Sequence, residues 1–78
     1  MNNLICIPAK HGTFKNKKDI FKYWESGADF YCKNFVCPDF GRLFNKNKVL
    51  KSKYEKVEIE YDENKELAVI DIKNNKLL

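Results

Sequence analysis

Three cysteines and one histidine carry the most obvious chemical potential in this chain. Cys6 and His11 are separated by four residues, and so are Cys32 and Cys37. Together they make a Cys3His set, whose thiolate and imidazole donors suit a tetrahedral structural zinc. A metal staple would also help a chain of 78 residues, which is near the small end of what folds on one apolar core. Against zinc, Cys6 and Cys32 fall inside apolar, strand-like runs, where cysteine behaves as a small hydrophobe. Neither pair has the two-residue spacing of a zinc knuckle. The expectation is therefore no cofactor, with Cys6, His11, Cys32 and Cys37 as the outside candidates for a metal site.

The same residues could pair a thiolate with His11 for nucleophilic attack. That chemistry needs a third group to orient the imidazole, and nothing in the sequence marks one. A Gly-rich phosphate loop, a paired-carboxylate signature and a dinucleotide fingerprint are all lacking. We expect no enzymatic activity. The odd number of cysteines suits a reducing compartment better than a disulfide framework.

A second kind of chemistry is electrostatic. In CPDFGRLFNKNKVLKSK, residues 37–53, Arg42, Lys46, Lys48, Lys51 and Lys53 could line phosphates while Phe40 or Phe44 stacks on a base. The competing reading is a solvated loop and short helix, since no fingerprint of an RNA-recognition, KH or zinc-finger module accompanies the charge. The basic residues are fourteen Lys against one Arg, with nine Asn. That usage points to an AT-rich genome, and the near-absence of Arg removes the planar fork that binds phosphate bidentately. Downstream, Glu58, Glu60, Asp62 and Glu63 could offer carboxylates to a basic protein surface, or serve only as the polar face of a strand. The net charge of +4 hides this division: residues 10–53 sum to +7 and residues 54–78 to −3. Such a dipole bears on partners and encounter rates rather than on fold.

The elements that must position these groups can be read from periodicity and punctuation. LICIP reads as a short strand, and AKHG as a turn into a return at Thr13 and Phe14, making a small hairpin. Asn16 is placed to cap a helix over Lys17–Ser26, with Asp19 near its positive end. Ile20, Phe21 and Trp24 share a face with Tyr23 at its edge, Lys18, Lys22 and Glu25 point to water, and Gly27 stops the helix. DFYCKNFV, residues 29–36, reads as a strand, and Pro38, Asp39 and Gly41 as a turn. RLF is briefly extended, and Asn45 caps a short helix over 46–52 with Val49 and Leu50 inward. KVEIEY alternates, with Val57, Ile59 and Tyr61 on one face; DENK turns, and ELAVIDI returns as an apolar strand. The tail, residues 73–78, is expected to fray. The expectation is one α+β domain over 1–78, in the order hairpin, α, β, short α, hairpin, with an antiparallel sheet packed on the main helix.

The opening MNNLICIPAK has no basic residue before its apolar run, and Pro8 ends that run. We expect neither a signal peptide nor a membrane span, and a soluble protein of the bacterial cytoplasm. The runs NKKDIFKYWESGADFY, PDFGRLFNK and YEKVEIEYDENKELAVIDI resemble a layout of short phage and mobile-element proteins, over roughly residues 13–72. In that layout a small hairpin leads into a helix, a Gly-Arg-aromatic turn and a closing hairpin. In size, origin and lack of catalytic equipment the chain is similar to anti-CRISPR proteins and other phage counter-defence factors. The resemblance implies a non-enzymatic inhibitor that binds a bacterial defence protein or ribonucleoprotein complex and occludes it, and it assigns no residue. Its surface would come from the 41–53 segment or from the Glu58/Glu60 face. The alternative is a small basic regulator that binds nucleic acid.

Overall fold

The computed structural model describes residues 3–10, 14–33 and 42–78. Helix α1 spans Lys17–Glu25, and the Asn16 side chain accepts the Asp19 backbone N–H at 2.9 Å, satisfying one of the donors a helix start leaves open. Gly27, at φ +81°, takes the left-handed conformation that ends the helix; a Cβ there would meet nothing within 4 Å, so the demand for glycine is purely one of backbone. The short helix α2, Lys46–Leu50, starts in the same way, with Asn45 accepting the Lys48 N–H at 3.0 Å.

Among the described residues six strands form one mixed sheet: β1 Asn3–Pro8, β2 Phe30–Cys32, β3 Leu43–Phe44, β4 Lys56–Glu60, β5 Leu67–Asp71 and β6 Lys76–Leu77. Their order across the sheet is β3-β2-β1-β4-β5-β6. The α+β class and the approximate order of elements follow the sequence reading, but the pairing of β1 differs. It lies antiparallel to β2 and parallel to β4, so the sheet is not purely antiparallel. Phe14 belongs to no strand and packs instead on Tyr23, ring centroids 5.0 Å apart; Thr13 lies outside the described residues.

Two further departures have local causes. The tail does not fray. Asp71 accepts the Asn74 N–H at 3.3 Å and its side-chain amide at 2.8 Å, and Asn75 takes φ +49°, a conformation Asn tolerates well. That turn returns the chain as β6, with Asp71 opposite Lys76 and Ile70 opposite Leu77. Leu50 is not inward: Val49 is fully buried, while Leu50 is exposed on the rim of a shallow cleft of about 470 Å³ beside Tyr54 and Ile72.

One face of the sheet carries the core. Leu4, Cys6, Phe30, Cys32, Phe44, Val57, Ile59, Ala68 and Ile70 turn inward and meet Ile20 and Trp24 of α1 and Val49 of α2. Phe30 sits at its aromatic centre, 5.9 Å from the Trp24 ring and edge-on to Tyr23 at 5.3 Å. The Trp24 indole N–H donates to Asn75 Oδ1 at 3.0 Å, and Asn75 donates to Glu25 at 3.2 Å. The helix is thereby tied to the last turn of the sheet.

The candidate binding face

Strand geometry sends alternate side chains to opposite faces, so the core above defines a second face that neither helix covers. Cross-strand register fixes the neighbours there. Leu43 is opposite Tyr31 and Tyr31 opposite Ile7, a continuous apolar row over β3, β2 and β1. On the far side Glu58 is opposite Val69 and Glu60 opposite Leu67, while Ile5 is opposite Glu58 across the parallel pair. Of the six large hydrophobic residues exposed among those described, Ile7, Tyr31, Leu43 and Leu67 stand on this face, and Leu78 continues its alternation; they are 37–50 % exposed.

The sequence of the strands sharpens the observation. β4 alternates apolar and polar, as expected of a sheet with one wet face. β1 reads Leu4, Ile5, Cys6, Ile7 and β5 reads Leu67, Ala68, Val69, Ile70, apolar on both sides, the pattern of strands covered on both faces. Sequence reasoning missed Ile5, Ile7, Tyr31, Leu43, Leu67 and Val69 as a surface. The signal available was the doubled apolar character of β1 and β5, which became a face only once the register was known.

Charge on the face is partly internal. Lys33 Nζ lies 2.5 Å from Glu60 Oε2, an ion pair that bridges over β1 from β2 to β4. Asp62 turns away to the β4–β5 turn, where it accepts the Glu66 N–H at 3.1 Å. The carboxylate row foreseen in the sequence is therefore broken. Glu60 is paired and Asp62 is structural, which leaves Glu58 between the two apolar halves; Glu63 is exposed in the β4–β5 turn, and Lys56, Asp71 and Lys76 stand together at the far end of the same face.

Lys46 is drawn away from the rest of the basic segment. Lys46 pairs with Glu25 of α1 at 2.7 Å. Successive helical residues are about 100° apart, so Lys46 and Lys48 project about 160° from one another rather than along one stripe. Arg42, Lys48, Lys51 and Lys53 are exposed. Phe44 is a core residue, opposite Phe30, which removes its ring from any base-stacking surface; Phe40 lies outside the described residues.

Cys6 and Cys32 are brought directly opposite one another, both buried, whereas His11 and Cys37 lie outside the described residues. Among the described residues no group of three or more His, Cys, Asp or Glu side chains could hold a metal ion.

Two ionisable groups at the far end of the sheet are shifted by local bonds. The Tyr61 hydroxyl donates to the Glu66 carboxylate, and this bond, helped by burial and by the nearby Glu66 and Asp62 charges, pushes its pKa up to about 12. Asp71 is held below its ordinary value, chiefly by the Asn74 side-chain bond and then by the backbone N–H groups of Asn74 and Lys73, with the Lys76 charge adding to them; desolvation opposes them. Both bonds build turns, and neither joins an acid to a base across a cleft.

Among the described residues no helix is long and apolar enough to cross a membrane. Compared with protein-family models, with curated proteins and with solved structures, the chain matches none.

Proposed function

We propose that this chain is a non-enzymatic binding protein that attaches through its open sheet face to a protein of a bacterial defence complex and blocks it by covering a working surface. The observation that supports the reading is the apolar row Leu43–Tyr31–Ile7, continued beyond β4 by Leu67, on a sheet whose two described helices both lie on the other side. Contiguous apolar surface of this kind marks protein contact sites, and aromatic residues such as Tyr31 supply most of the energy in them. The resemblance to phage counter-defence proteins supports the choice of a defence complex and of the bacterial host cytoplasm as the place of action.

Charge selects the partner. Glu58 stands in the middle of the face, so the complementary surface is apolar with a Lys or Arg set within it. A second copy of this chain fits less well. The sheet centre falls between β1 and β4, and a two-fold axis there would set Glu58 against its own equivalent. Because Lys33 neutralises Glu60, occlusion by packing is better supported than imitation of a phosphate row.

The test is phage plaquing on cells with active CRISPR immunity that express the chain. Restored plaquing against one system type, lost with the Tyr31→Glu variant, is the expected outcome. Unchanged immunity across several system types would remove the defence-complex reading.

A further inference from the structure

Cys6 and Cys32 stand directly opposite each other on adjacent antiparallel strands. Which kind of opposed pair they form can be read from the flanking bonds. Lys33 N–H donates to the Ile5 carbonyl at 2.7 Å, and Ala9 N–H to the Asp29 carbonyl at 3.1 Å. Bonds from the residue after one partner to the residue before the other enclose a non-hydrogen-bonded pair, so both Cys6/Cys32 and Pro8/Phe30 are of that type. In such pairs the Cα atoms are about 4.5 Å apart and the side chains are at their closest. That distance falls within the range of roughly 4.4–6.8 Å that a disulfide spans. The alternation of the strands also points both Cβ atoms to the same face of the sheet, since both side chains are in the core.

We propose that Cys6 and Cys32 form a redox-responsive modification site, in which a peroxide converts the pair into a cross-strand disulfide. One thiolate attacks hydrogen peroxide, giving a sulfenic acid and releasing water after proton transfer. The second thiol then attacks the sulfenic sulfur, the S–S bond forms, and a second water leaves. Two thiols are oxidised and one peroxide is reduced, so atoms and electrons balance. Burial makes the site slow in the intact fold, and reaction proceeds through local opening of β2, whose outer neighbour among the described residues is the two-residue strand β3, extended by a bond from the Cys32 N–H to the Arg42 carbonyl at 3.2 Å. Once formed, the bond pins β2 to β1 and holds the Ile7–Tyr31 pairing in register.

The sequence makes the test unusually direct. Cleavage after Lys and Arg places Cys6 in residues 1–10, Cys32 in 23–33 and Cys37 in 34–42, so each cysteine reports in its own peptide. Purified full-length chain is treated with hydrogen peroxide, with and without mild urea, then alkylated, digested and mass-analysed. The expected product joins peptides 1–10 and 23–33, forms faster in urea, and leaves the Cys37 peptide alkylated. Closing the loop also constrains the unfolded chain, so the oxidised protein should melt roughly 10 °C higher or more. The Cys37→Ser variant should give the same linkage. Joining of either peptide to 34–42, alkylation of both after full oxidation, or a lowered melting midpoint would overturn the proposal.

Discussion

Phe30 and Tyr31 are adjacent residues on one strand, and the account assigns them opposite duties. Phe30 is fully buried between Trp24 and Tyr23, whereas Tyr31 stands on the open face between Ile7 and Leu43. Removing a core phenylalanine costs about 3–5 kcal/mol, from lost transfer energy and the cavity left behind. A chain of this length has a total stability of roughly 4–12 kcal/mol. Phe30→Ala should therefore remove from about a quarter to all of that stability. Tyr31→Ala removes two cross-strand contacts at about 0.2–1 kcal/mol each, so its cost is about 0.4–2 kcal/mol. Urea unfolding followed by Trp24 fluorescence separates the two. With a slope near ~1 kcal/mol per M, the midpoint falls by about 1 M for Tyr31→Ala and by about 3 M or more for Phe30→Ala. Equal losses would refute the reasoning, because they would mean that the face carrying Tyr31 is packed within this chain.

Three further outcomes follow from the same geometry. Trp24→Phe keeps an aromatic core but deletes the indole donor to Asn75; we expect a loss of about 1–3 kcal/mol in denaturant unfolding, with amide exchange rising first in the turn before β6. Asn16→Ala removes the α1 cap and should cost about 1 kcal/mol, with α2 unaffected. Tyr61 is held protonated up to about pH 12 in the fold, against an ordinary value of 10.0. The folded state binds that proton more tightly, so its contribution is complete below pH 10 and is lost between pH 10 and 12. Wild type should thus lose stability relative to Tyr61→Phe across that window and not below it.

Local signals were readable and long-range pairing was not. Asn16, Gly27 and Asn45 act through bonds or dihedrals within a few residues, and each sits where its side-chain chemistry places it. The faces of α1 and β4 likewise follow from period alone, with Ile20, Trp24, Val57 and Ile59 buried. The parallel partner of β1 is some fifty residues away, and no period in LICIP names it. The β5–β6 turn was hidden because Asn74 and Asn75 read equally well as a polar tail or as turn residues. The candidate face suffered most. Glu58 and Glu60 were visible as a polar strand edge, but their apolar neighbours belong to other strands and joined them only through register. The lysines of 46–53 were visible as charge, whereas the Lys46–Glu25 pair depends on how the two helices meet.

The central claim is that the open face, and not the basic segment, holds a partner protein. The most direct test is capture by tagged protein from lysate of a low-GC bacterial host, with nuclease added, comparing wild type with two variants. The account predicts one stoichiometric protein complex that survives nuclease, is lost with Tyr31→Glu and persists with Lys48→Gln/Lys51→Gln. Capture that survives Tyr31→Glu, or that consists of nucleic acid and vanishes with nuclease or with the lysine variant, would contradict it.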